Sequence, residues 1–597
     1  MNRQTTLIFL ILFLVGGNSL LSFGQKTYIR INQCGYLPGD DKIATAFSVS
    51  RISGKFIVLD KQTDQELFKG SIEKAQPEKW GNFNHYYLNF SDLTLEGDYY
   101  IKIASDGSVS NTFSIDPEVY EGYQEDILEF MRQQRCGYNP FFDAVCHQFD
   151  GRIFYGNKPD STYIDASGGW HDAGDQLKYL ITGSFATAFM ILSYELYPDA
   201  FGDSHDNLGR PLPNGIPDVL DEAKWGLDWI HNLHPDPDML IHQVADDRDH
   251  RGWKMPYDDE SDYGWGGNSY RAAYVANGRP QGLNIYKSES TGMANIAGRS
   301  AAAMALGYKT WIKIDSAYAY KCLKAAAELY ALGKKYEGYQ QGNSFGAPYR
   351  YNEETWTDDM EWAAAELYDI TRKRGYLDDA IHYARLTKTQ SWMEMDSAAH
   401  YQMYPFINIG HYALHEVADP KLKEELAGYY KAGIEKNILR AGKTPFRVGV
   451  PFIWCSNNLV TALISQIILY EKMTGDLTYH GFLLAQRDWL LGNNPWGTSM
   501  FMNIPRDGEY PQDVHTSTWA LTKTEVPGGL VDGPVYFSIF NNLKGLVLYQ
   551  PDEFAEFQNE IVVYHDDIGD YSTNEPTMDG TASAVLMMAY FSQSGLK

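Results

Sequence analysis

The chain has 597 residues, which is enough for more than one domain and for a large buried core. Its 77 acidic residues outnumber its 50 basic ones, and the formal net charge of −27 argues against nucleic acid or an anionic membrane surface as a partner. A neutral polymer or a small molecule fits this charge better. Aromatic residues make up 14% of the sequence, and their flat rings either fill a core or serve as platforms for sugars.

Residues 1–24 are predicted to be a secretory signal peptide. They contain the basic Arg3, an apolar run from Leu7 to Val15, and then small and polar residues up to Gly24. This run is too short to anchor the chain in a membrane, and no later stretch of about 18 uninterrupted apolar residues follows. We therefore expect a protein exported to the periplasm or the medium, without membrane insertion. Its five cysteines are too few for a disulfide framework.

Two patterns of apolar residues divide the remaining chain. Residues 25–116 show short alternating runs separated by turns, which predicts a small β-sandwich. Residues 117–597 carry longer stretches at helical spacing without strand alternation between them, which predicts an all-α toroid of paired helices with its function on loops at one end. The predicted helical stretches are 120–135, 181–197, 218–232, 293–313, 316–335, 358–373, 377–392, 421–437, 457–474, 477–491 and 579–593.

Three carboxylates are the candidate catalytic groups. Asp172 and Asp175 lie three residues apart in "GGWHDAGDQLKY" (168–179), where one carboxylate is suited to deprotonate a water and the other to position it. The alternative is a solvated acidic turn. Glu575 precedes an apolar stretch, and partial shielding by aromatic residues such as Tyr571 would keep it protonated. The alternative for Glu575 is a helix cap.

Several motifs follow one another in the order typical of a known family. The chain resembles the family 9 glycoside hydrolases of the subgroup with an immunoglobulin-like domain before an (α/α)6 barrel. The resemblance implies Asp175 as general base, Asp172 as its partner in holding the water, and Glu575 as general acid. It also implies inversion of the anomeric centre, for which the carboxyl groups stand roughly 6.5–9.5 Å apart. The motifs are "INQCGYLP", "WHDAGD", "NGIPDVLDEAKWGLDW", "HQVADDRDH", "EWAAAELY", "WCSNN", "LLGNNPWGTS" and "YHDDIGDYSTNEPTMD".

Cys136, Cys146, His147 and His171 form a candidate metal site. Two thiolates and two imidazoles make a closed tetrahedral set suited to structural zinc, whereas a Cys136–Cys146 disulfide is the alternative after export. The resemblance favours zinc, because members of this subgroup bind it at these four positions. Such a zinc would fix His171 and, through it, the loop with both aspartates. Calcium is a further possibility, for which the acidic candidates are Asp218, Asp221, Glu222, 246–249 and 258–262.

The predicted partner is a neutral β-glucan, and four residues are predicted to bind it. Trp356, Trp454 and Tyr571 are candidate stacking platforms. His515 lies in "YPQDVHTSTW" (510–519), where typical endo-acting members of the family carry P-x-x-P-H-H-R, so Thr516 and Ser517 replace a His and an Arg. Losing an Arg removes charge-assisted hydrogen bonds, so we expect the sugar sites near the acid to differ from those of a plain cellulase.

The sequence therefore predicts a secreted, inverting endo-β-1,4-glucanase that acts on cellulose-like or related β-glucans as a monomer. An exo-acting β-glucosidase or cellobiohydrolase of the same family is the first alternative. A non-catalytic glycan-binding protein is the second, and the intact carboxylates argue against it. A polysaccharide lyase is the third, but so acidic a chain is poorly suited to neutralise the carboxylate of a uronic acid.

Overall fold

The computed structural model describes residues 26–266, 270–347, 349–388, 391–395 and 399–595. The predicted signal peptide, residues 1–24, lies outside the described residues. Within these ranges, every helix is too short or too polar to cross a membrane.

The N-terminal domain is an antiparallel β-sandwich, as predicted. Strand β4 (Glu66–Trp80) pairs with β3 along its first half and with β5 along its second, so it joins the two sheets. Alternate side chains such as Phe56, Tyr86 and Ile101 fill the space between the sheets. The strand order is β1-β2-β5-β4-β3-β6-β7. The other strands are β1 (Tyr28–Arg30), β2 (Ile43–Ser48), β3 (Lys55–Asp60), β5 (Phe83–Asn89), β6 (Gly97–Ile103) and β7 (Phe113–Ile115).

The rest of the described chain is mainly helical. Every predicted helical stretch overlaps an observed helix, and the prediction missed α8, α12 and α13, which are short. The helices are α1 (Tyr123–Gln133), α2 (Leu180–Leu196), α3 (Asp218–Leu233), α4 (Ala294–Trp311), α5 (Ser316–Lys335), α6 (Thr357–Thr371), α7 (Arg374–Thr387), α8 (Ile409–Val417), α9 (Pro420–Ala441), α10 (Ser456–Thr474), α11 (His480–Leu490), α12 (Ser517–Thr522), α13 (Phe537–Phe540) and α14 (Met578–Ser594).

These helices form a closed double ring. In the inner ring α2, α4, α6, α8 and α10 follow one another in contact, and α14 closes the ring by packing against both α10 and α2. The outer helices α1, α3, α5, α7, α9 and α11 each pack against an inner one. Inner helices such as α2 are buried on nearly every side. The predicted (α/α)6 barrel is therefore confirmed.

Short strands order the loops at one end of the barrel. The strands β10 (Arg152–Phe154), β13 (Ala272–Val275), β12 (Ile241–Val244) and β11 (Lys178–Tyr179) form one sheet in this order, and β11 leads directly into α2. This sheet ties the loop with Asp172 and Asp175 to the segment that ends at His250. Two two-stranded antiparallel sheets add the strands β8 (Tyr138–Asn139) with β9 (Ala144–Val145), and β14 (Val535–Tyr536) with β15 (Val562–Val563).

The sandwich is fastened to the barrel by buried polar contacts. Arg487 Nη1 of α11 donates to Asp40 Oδ2 at 2.7 Å, and Asn32 Nδ2 donates to Asp488 Oδ1 at 2.9 Å. The Arg487 guanidinium is fully buried, and breaking a buried pair of this kind leaves an uncompensated charge. The sandwich is therefore packed firmly against the barrel.

Candidate active site

The loop from Gly168 to Tyr179, here called the aspartate loop, is closed by its own backbone and by Lys178. The Asp172 amide donates to the Leu177 carbonyl at 3.0 Å. Lys178 Nζ donates to the Gly168 carbonyl at 2.9 Å and pairs with Asp150 at 2.9 Å. The loop therefore enters α2 with a fixed shape, which holds Asp172 and Asp175 in place.

Asp175 is held by donors and by a cation. Its Oδ1 accepts a hydrogen bond from the Leu177 amide at 2.6 Å, and its Oδ2 lies 3.3 Å from His250 Nε2. Burial disfavours the charged form, but the charge of His250 and the donated hydrogen bonds outweigh it, so the pKa of Asp175 lies below its usual value. Asp175 is therefore ionised near neutral pH.

Asp172 lies deeper, between two hydroxyl donors. Its Oδ1 accepts from Thr182 Oγ1 at 2.9 Å, and its Oδ2 accepts from the Tyr351 hydroxyl. Burial, followed by the charges of Asp175 and Asp579, raises the pKa of Asp172 well above its usual value. Asp172 therefore holds its proton more tightly than Asp175.

Glu575 reaches the aspartate loop from the segment between Tyr564 and Asp579, here called the glutamate segment. Its Oε1 accepts a hydrogen bond from the Gly174 amide at 2.9 Å. Burial, followed by the charges of Asp532 and Asp175, raises the pKa of Glu575 well above its usual value. The fold therefore brings together carboxyl groups 400 residues apart in sequence and shifts their pKa values in opposite directions.

Gly174 is the point where these two segments touch. A Cβ atom at this position would lie 2.3 Å from the His515 carbonyl oxygen and 2.8 Å from Glu575 Oε1. The closeness of the two segments therefore requires a residue without a side chain.

Aromatic rings surround the carboxylates. His515 contacts the Trp253 ring edge-on, with 4.6 Å between centroids, and Nδ1 of His515 donates to the Ile568 carbonyl at 2.6 Å. Trp454 lies beside Tyr571 at 5.6 Å and beside His400 at 5.2 Å. The structure thus brings His515, Trp454 and Tyr571 into one neighbourhood.

Trp356 lies at the start of α6, where its ring contacts Tyr383 of α7 edge-on at 5.8 Å. Its role in substrate binding stays a prediction. Thr516 and Ser517, which stand in place of the family's His and Arg, have structural contacts. Thr516 Oγ1 caps α12 by accepting from the Trp519 amide, and Ser517 Oγ donates to the Gly174 carbonyl at 3.4 Å.

The cluster Cys136, Cys146, His147 and His171 is buried, and its potential ligand atoms all lie within 4.8 Å of one another. Cys136 Sγ is 3.7 Å from His147 Nδ1, and Cys146 Sγ is 3.9 Å from His171 Nε2. The two imidazole nitrogens are 3.4 Å apart. A tetrahedral zinc with its usual bond lengths places such atoms roughly 3.3–3.8 Å apart. The cluster is therefore able to hold a metal ion, and both cysteines are free thiols rather than a disulfide.

The carboxylate of Asp259 contacts one imidazole of this cluster. His147 Nε2 lies 3.1 Å from Asp259 Oδ2, the arrangement that orients metal-binding imidazoles in many proteins. Asp259 also pairs with Lys254 at 2.9 Å. Within the described residues, this cluster is the group of His, Cys and acidic side chains whose geometry suits a metal.

Three of the acidic residues considered for calcium are paired with arginines. Asp218 pairs with Arg132 at 2.9 Å, Glu222 with Arg135 at 2.7 Å, and Asp246 with Arg248 at 2.7 Å. Carboxylates neutralised by arginine are poor cation ligands, so these contacts favour a structural role, and calcium stays an untested prediction.

Several residues of the site were not singled out from the sequence. His250 ends the quoted motif "HQVADDRDH" and Asp579 ends "YHDDIGDYSTNEPTMD", so a signal was present for both. Tyr351 and Asp532 lie in stretches without a motif. Only the fold brings them to the site, because each joins the aspartate loop or the glutamate segment over a long sequence separation.

A carboxyl group with a raised pKa beside one with a lowered pKa, at the loop end of an (α/α)6 barrel, is the pair that hydrolysis of a glycosidic bond requires. The model of glycosyl hydrolase family 9 matches residues 120–588, and the model of the cellulase N-terminal ig-like domain matches residues 24–108. The chain therefore belongs to glycosyl hydrolase family 9.

Two relatives show the range of enzymes to which the chain is similar. It is 24% identical to Endoglucanase C of Cellulomonas fimi, over 95% of this chain and 52% of the relative. It is 25% identical to the xyloglucan-specific endo-beta-1,4-glucanase BoGH9A of Bacteroides ovatus, over 85% of each chain. The chain thus spans about half the length of the first relative and most of the second.

Solved structures agree with the fold. A metagenome-derived glycoside hydrolase family 9 endoglucanase superposes with a TM-score of 0.75 at 24% identity, covering 95% of this chain and 99% of that one. A Zn-binding triple mutant of the family 9 endoglucanase J30 superposes with a TM-score of 0.73 at 24% identity, covering 93% and 99%. At this identity the likeness establishes the fold alone.

Proposed function

We propose that the protein is an endo-β-1,4-glucanase that cleaves β-1,4-glucosidic bonds of cellulose-like or related β-glucans with inversion. The observation that carries this proposal is the contact between Glu575 and the aspartate loop, across which the pKa of Glu575 is raised and that of Asp175 lowered. One group is then protonated and the other ionised at the same pH. The names of the two relatives, an endoglucanase and an endo-beta-1,4-glucanase, support the endo-acting, β-1,4-glucan part of the proposal.

In the proposed reaction Asp175 is the general base and Glu575 the general acid. A water oxygen attacks the anomeric carbon while Asp175 accepts a proton from that water. The bond from the anomeric carbon to the glycosidic oxygen breaks, and Glu575 gives its proton to that oxygen. Asp172, fixed by Thr182 and Tyr351, holds the water beside Asp175.

The substrate-binding part of the proposal rests on the aromatic rings near the carboxylates. Trp454, Tyr571 and His515 lie close together there, and sugar rings present apolar C–H faces that pack on aromatic faces. An acidic protein does not repel a neutral glucan, whereas it repels an anionic one.

We further propose that the Cys136, Cys146, His147 and His171 cluster holds a structural zinc ion. Two thiolates and two imidazoles complete the four-coordinate shell, so the ion would stabilise the fold rather than activate water. His171 directly precedes Asp172, so the ion would anchor the aspartate loop. Export through cleavage of residues 1–24, and action as a monomer, complete the proposal.

The test combines a product assay with two variants. Proton NMR of the first products should show the α-anomer, and soluble β-glucan should lose viscosity rapidly while oligosaccharides of mixed length appear. Asp175→Asn and Glu575→Gln should each abolish this hydrolysis while the thermal unfolding curve is kept. Release of the β-anomer would disprove inversion, and steady release of glucose or cellobiose alone would show exo-action. Wild-type turnover by either variant would reject the assigned residues.

A further inference from the structure

Asp532 is a buried carboxyl group that the proposed reaction does not use. It is 1% exposed. Its Oδ2 accepts a hydrogen bond from Trp454 Nε1 at 2.7 Å, and its Oδ1 accepts one from Cys455 Sγ at 3.1 Å. Both donors stand directly before α10. Burial of a carboxyl group is costly even when it is hydrogen-bonded, so a role is expected for this residue.

The backbone of Asp532 is paired with that of Glu575. The Asp532 amide donates to the Glu575 carbonyl at 2.9 Å, and residues 530–533 run antiparallel to residues 573–577. On its other side the Asp532 carbonyl accepts from the Asn457 amide of α10 at 3.0 Å. Asp532 therefore lies between the barrel helix α10 and the backbone that carries Glu575.

The side chains of the two residues also interact electrostatically. Burial raises the pKa of Glu575 most. The charge of Asp532 raises it next, by more than the charge of Asp175 does. Burial raises the pKa of Asp532 itself to about 8, against the hydrogen bonds from Cys455 and Trp454. A buried carboxyl group resists ionising beside one that has already ionised, so Glu575 holds its proton more tightly once Asp532 has lost its own.

We propose that Asp532 is a positioning residue for Glu575, which it fixes through the backbone and keeps neutral by placing a second buried carboxyl group beside it. This inference rests on the proposed role of Glu575 as the general acid. Asp532 also orients the Trp454 indole, so one residue links the acid to a predicted sugar platform. The titratable groups that face the pair are Asp172 and Asp175 of the aspartate loop, Cys455 before α10 with His400 behind it, Asp570 of the glutamate segment, and Asp579 of α14.

The variant Asp532→Asn tests the electrostatic part, because it keeps the shape of the side chain and cannot ionise. Without a nearby carboxylate the pKa of Glu575 falls, so the basic limb of the pH profile of kcat/KM on soluble β-glucan should move down by about one pH unit. A purely structural role would lower the rate at every pH and leave this limb in place. A folded variant with an unmoved limb overturns the proposal.

A second substrate shows whether the shift acts through Glu575. Dinitrophenyl cellobioside has a leaving group that needs no protonation, so its hydrolysis should lack the limb that reports the acid. Asp532→Asn should then shift the limb for β-glucan and leave the profile for dinitrophenyl cellobioside unchanged. A shift on both substrates means that Asp532 acts on another group, which overturns the proposal.

Asp566→Asn is the matched control. Asp566 is a partly buried carboxyl group of the glutamate segment, with its pKa raised to about 6 by burial. It accepts hydrogen bonds from the Gln512 and Asp513 amides and from the Asn574 side chain, and it is not among the charges that raise the pKa of Glu575. Asp566→Asn should leave the basic limb of the pH profile on β-glucan at the same pH, even where it changes the rate. If Asp566→Asn moves the basic limb of the pH profile as far as Asp532→Asn does, the shift comes from a general opening of the site to solvent. That result would reject a specific role for Asp532.

Two further measurements keep the test decisive. If Asp532→Asn does not fold, Cys455→Ala removes one donor to Asp532, which raises the pKa of Asp532 and should move the same limb downward by a smaller amount. An unmoved limb in a folded Cys455→Ala enzyme then counts against the proposal. Glu575→Gln is measured first on both substrates. Normal β-glucan hydrolysis by that variant would reject the proposed general acid itself, which is a different failure from an unmoved limb.

Discussion

Asp175 of the aspartate loop and Glu575 of the glutamate segment carry the same functional group in opposite environments. Around the aspartate loop stand cations: Lys178 closes it, His250 faces Asp175, and Arg271 donates to the Gln176 carbonyl at 2.6 Å. Around Glu575 stand other carboxyl groups, Asp532 foremost. A neighbouring cation favours the ionised carboxylate, whereas burial beside a second carboxyl group favours the protonated acid. The neighbouring groups, rather than the residue type, therefore determine which carboxyl group is the base and which is the acid.

The largest expected effects are losses of kcat that distinguish the proposed base, Asp175, from the proposed acid, Glu575. Asp175→Asn should lower kcat by about 10³-fold or more on every substrate, because the attacking water always needs a base. Glu575→Gln should cause a loss of similar size on β-glucan and little loss on dinitrophenyl cellobioside, whose leaving group needs no acid. Steady-state kinetics on both substrates measures this. If both variants respond alike to the activated substrate, the division into base and acid sides is wrong.

The contact between the two sides is the next target. Gly174→Ala would place a Cβ 2.3 Å from the His515 carbonyl oxygen and 2.8 Å from Glu575 Oε1, so the aspartate loop must move away from both residues. A displacement of about 1 Å in such a site costs on the order of 10²-fold in rate, so kcat should fall by about that factor.

Gly375→Ala in α7 is the control for this change, because a Cβ there meets open space within 4 Å. It should keep full activity and gain up to about 1 kcal/mol in stability from the better helix propensity of Ala. Full activity of Gly174→Ala would show that the close approach is not needed for catalysis.

Metal removal should affect the aspartate loop more than the glutamate segment. Cys146→Ser removes one of four ligands, and we expect zinc to be lost and Tm to fall by several degrees, because metal binding contributes directly to folding free energy. Elemental analysis and thermal unfolding measure both effects. Cys322→Ser, a buried cysteine of α5 outside the cluster, should keep the metal. A wild-type protein that purifies without zinc and keeps its Tm in a chelator would contradict the proposed metal site.

The sequence was sufficient for the architecture, for physical reasons. The catalytic candidates came from motifs and a family resemblance, and their roles stay predictions. Alternating and helical patterns record which face of each element is buried, so the sandwich and eleven of the helices were predictable. The nine-residue α8 is too short for a clear period, and the prediction missed it. Tyr351 and Asp532 had no local signal, because their importance arises from contacts with Asp172 and with Glu575 that only the closed barrel creates.

The smallest expected effect concerns the charge beside Asp175. His250 lowers the pKa of Asp175, so His250→Gln should raise it and move the acidic limb of kcat/KM to higher pH by up to about one unit. At neutral pH the loss from this change in ionisation should be slight, since Asp175 stays ionised there.

His242→Gln is the control, because His242 lies in the same segment but binds Gln281 at 2.9 Å, and its replacement should leave the limb in place. A limb that stays in place in His250→Gln would mean that the hydrogen bond from the Leu177 amide, which this variant keeps, is enough to hold Asp175 ionised.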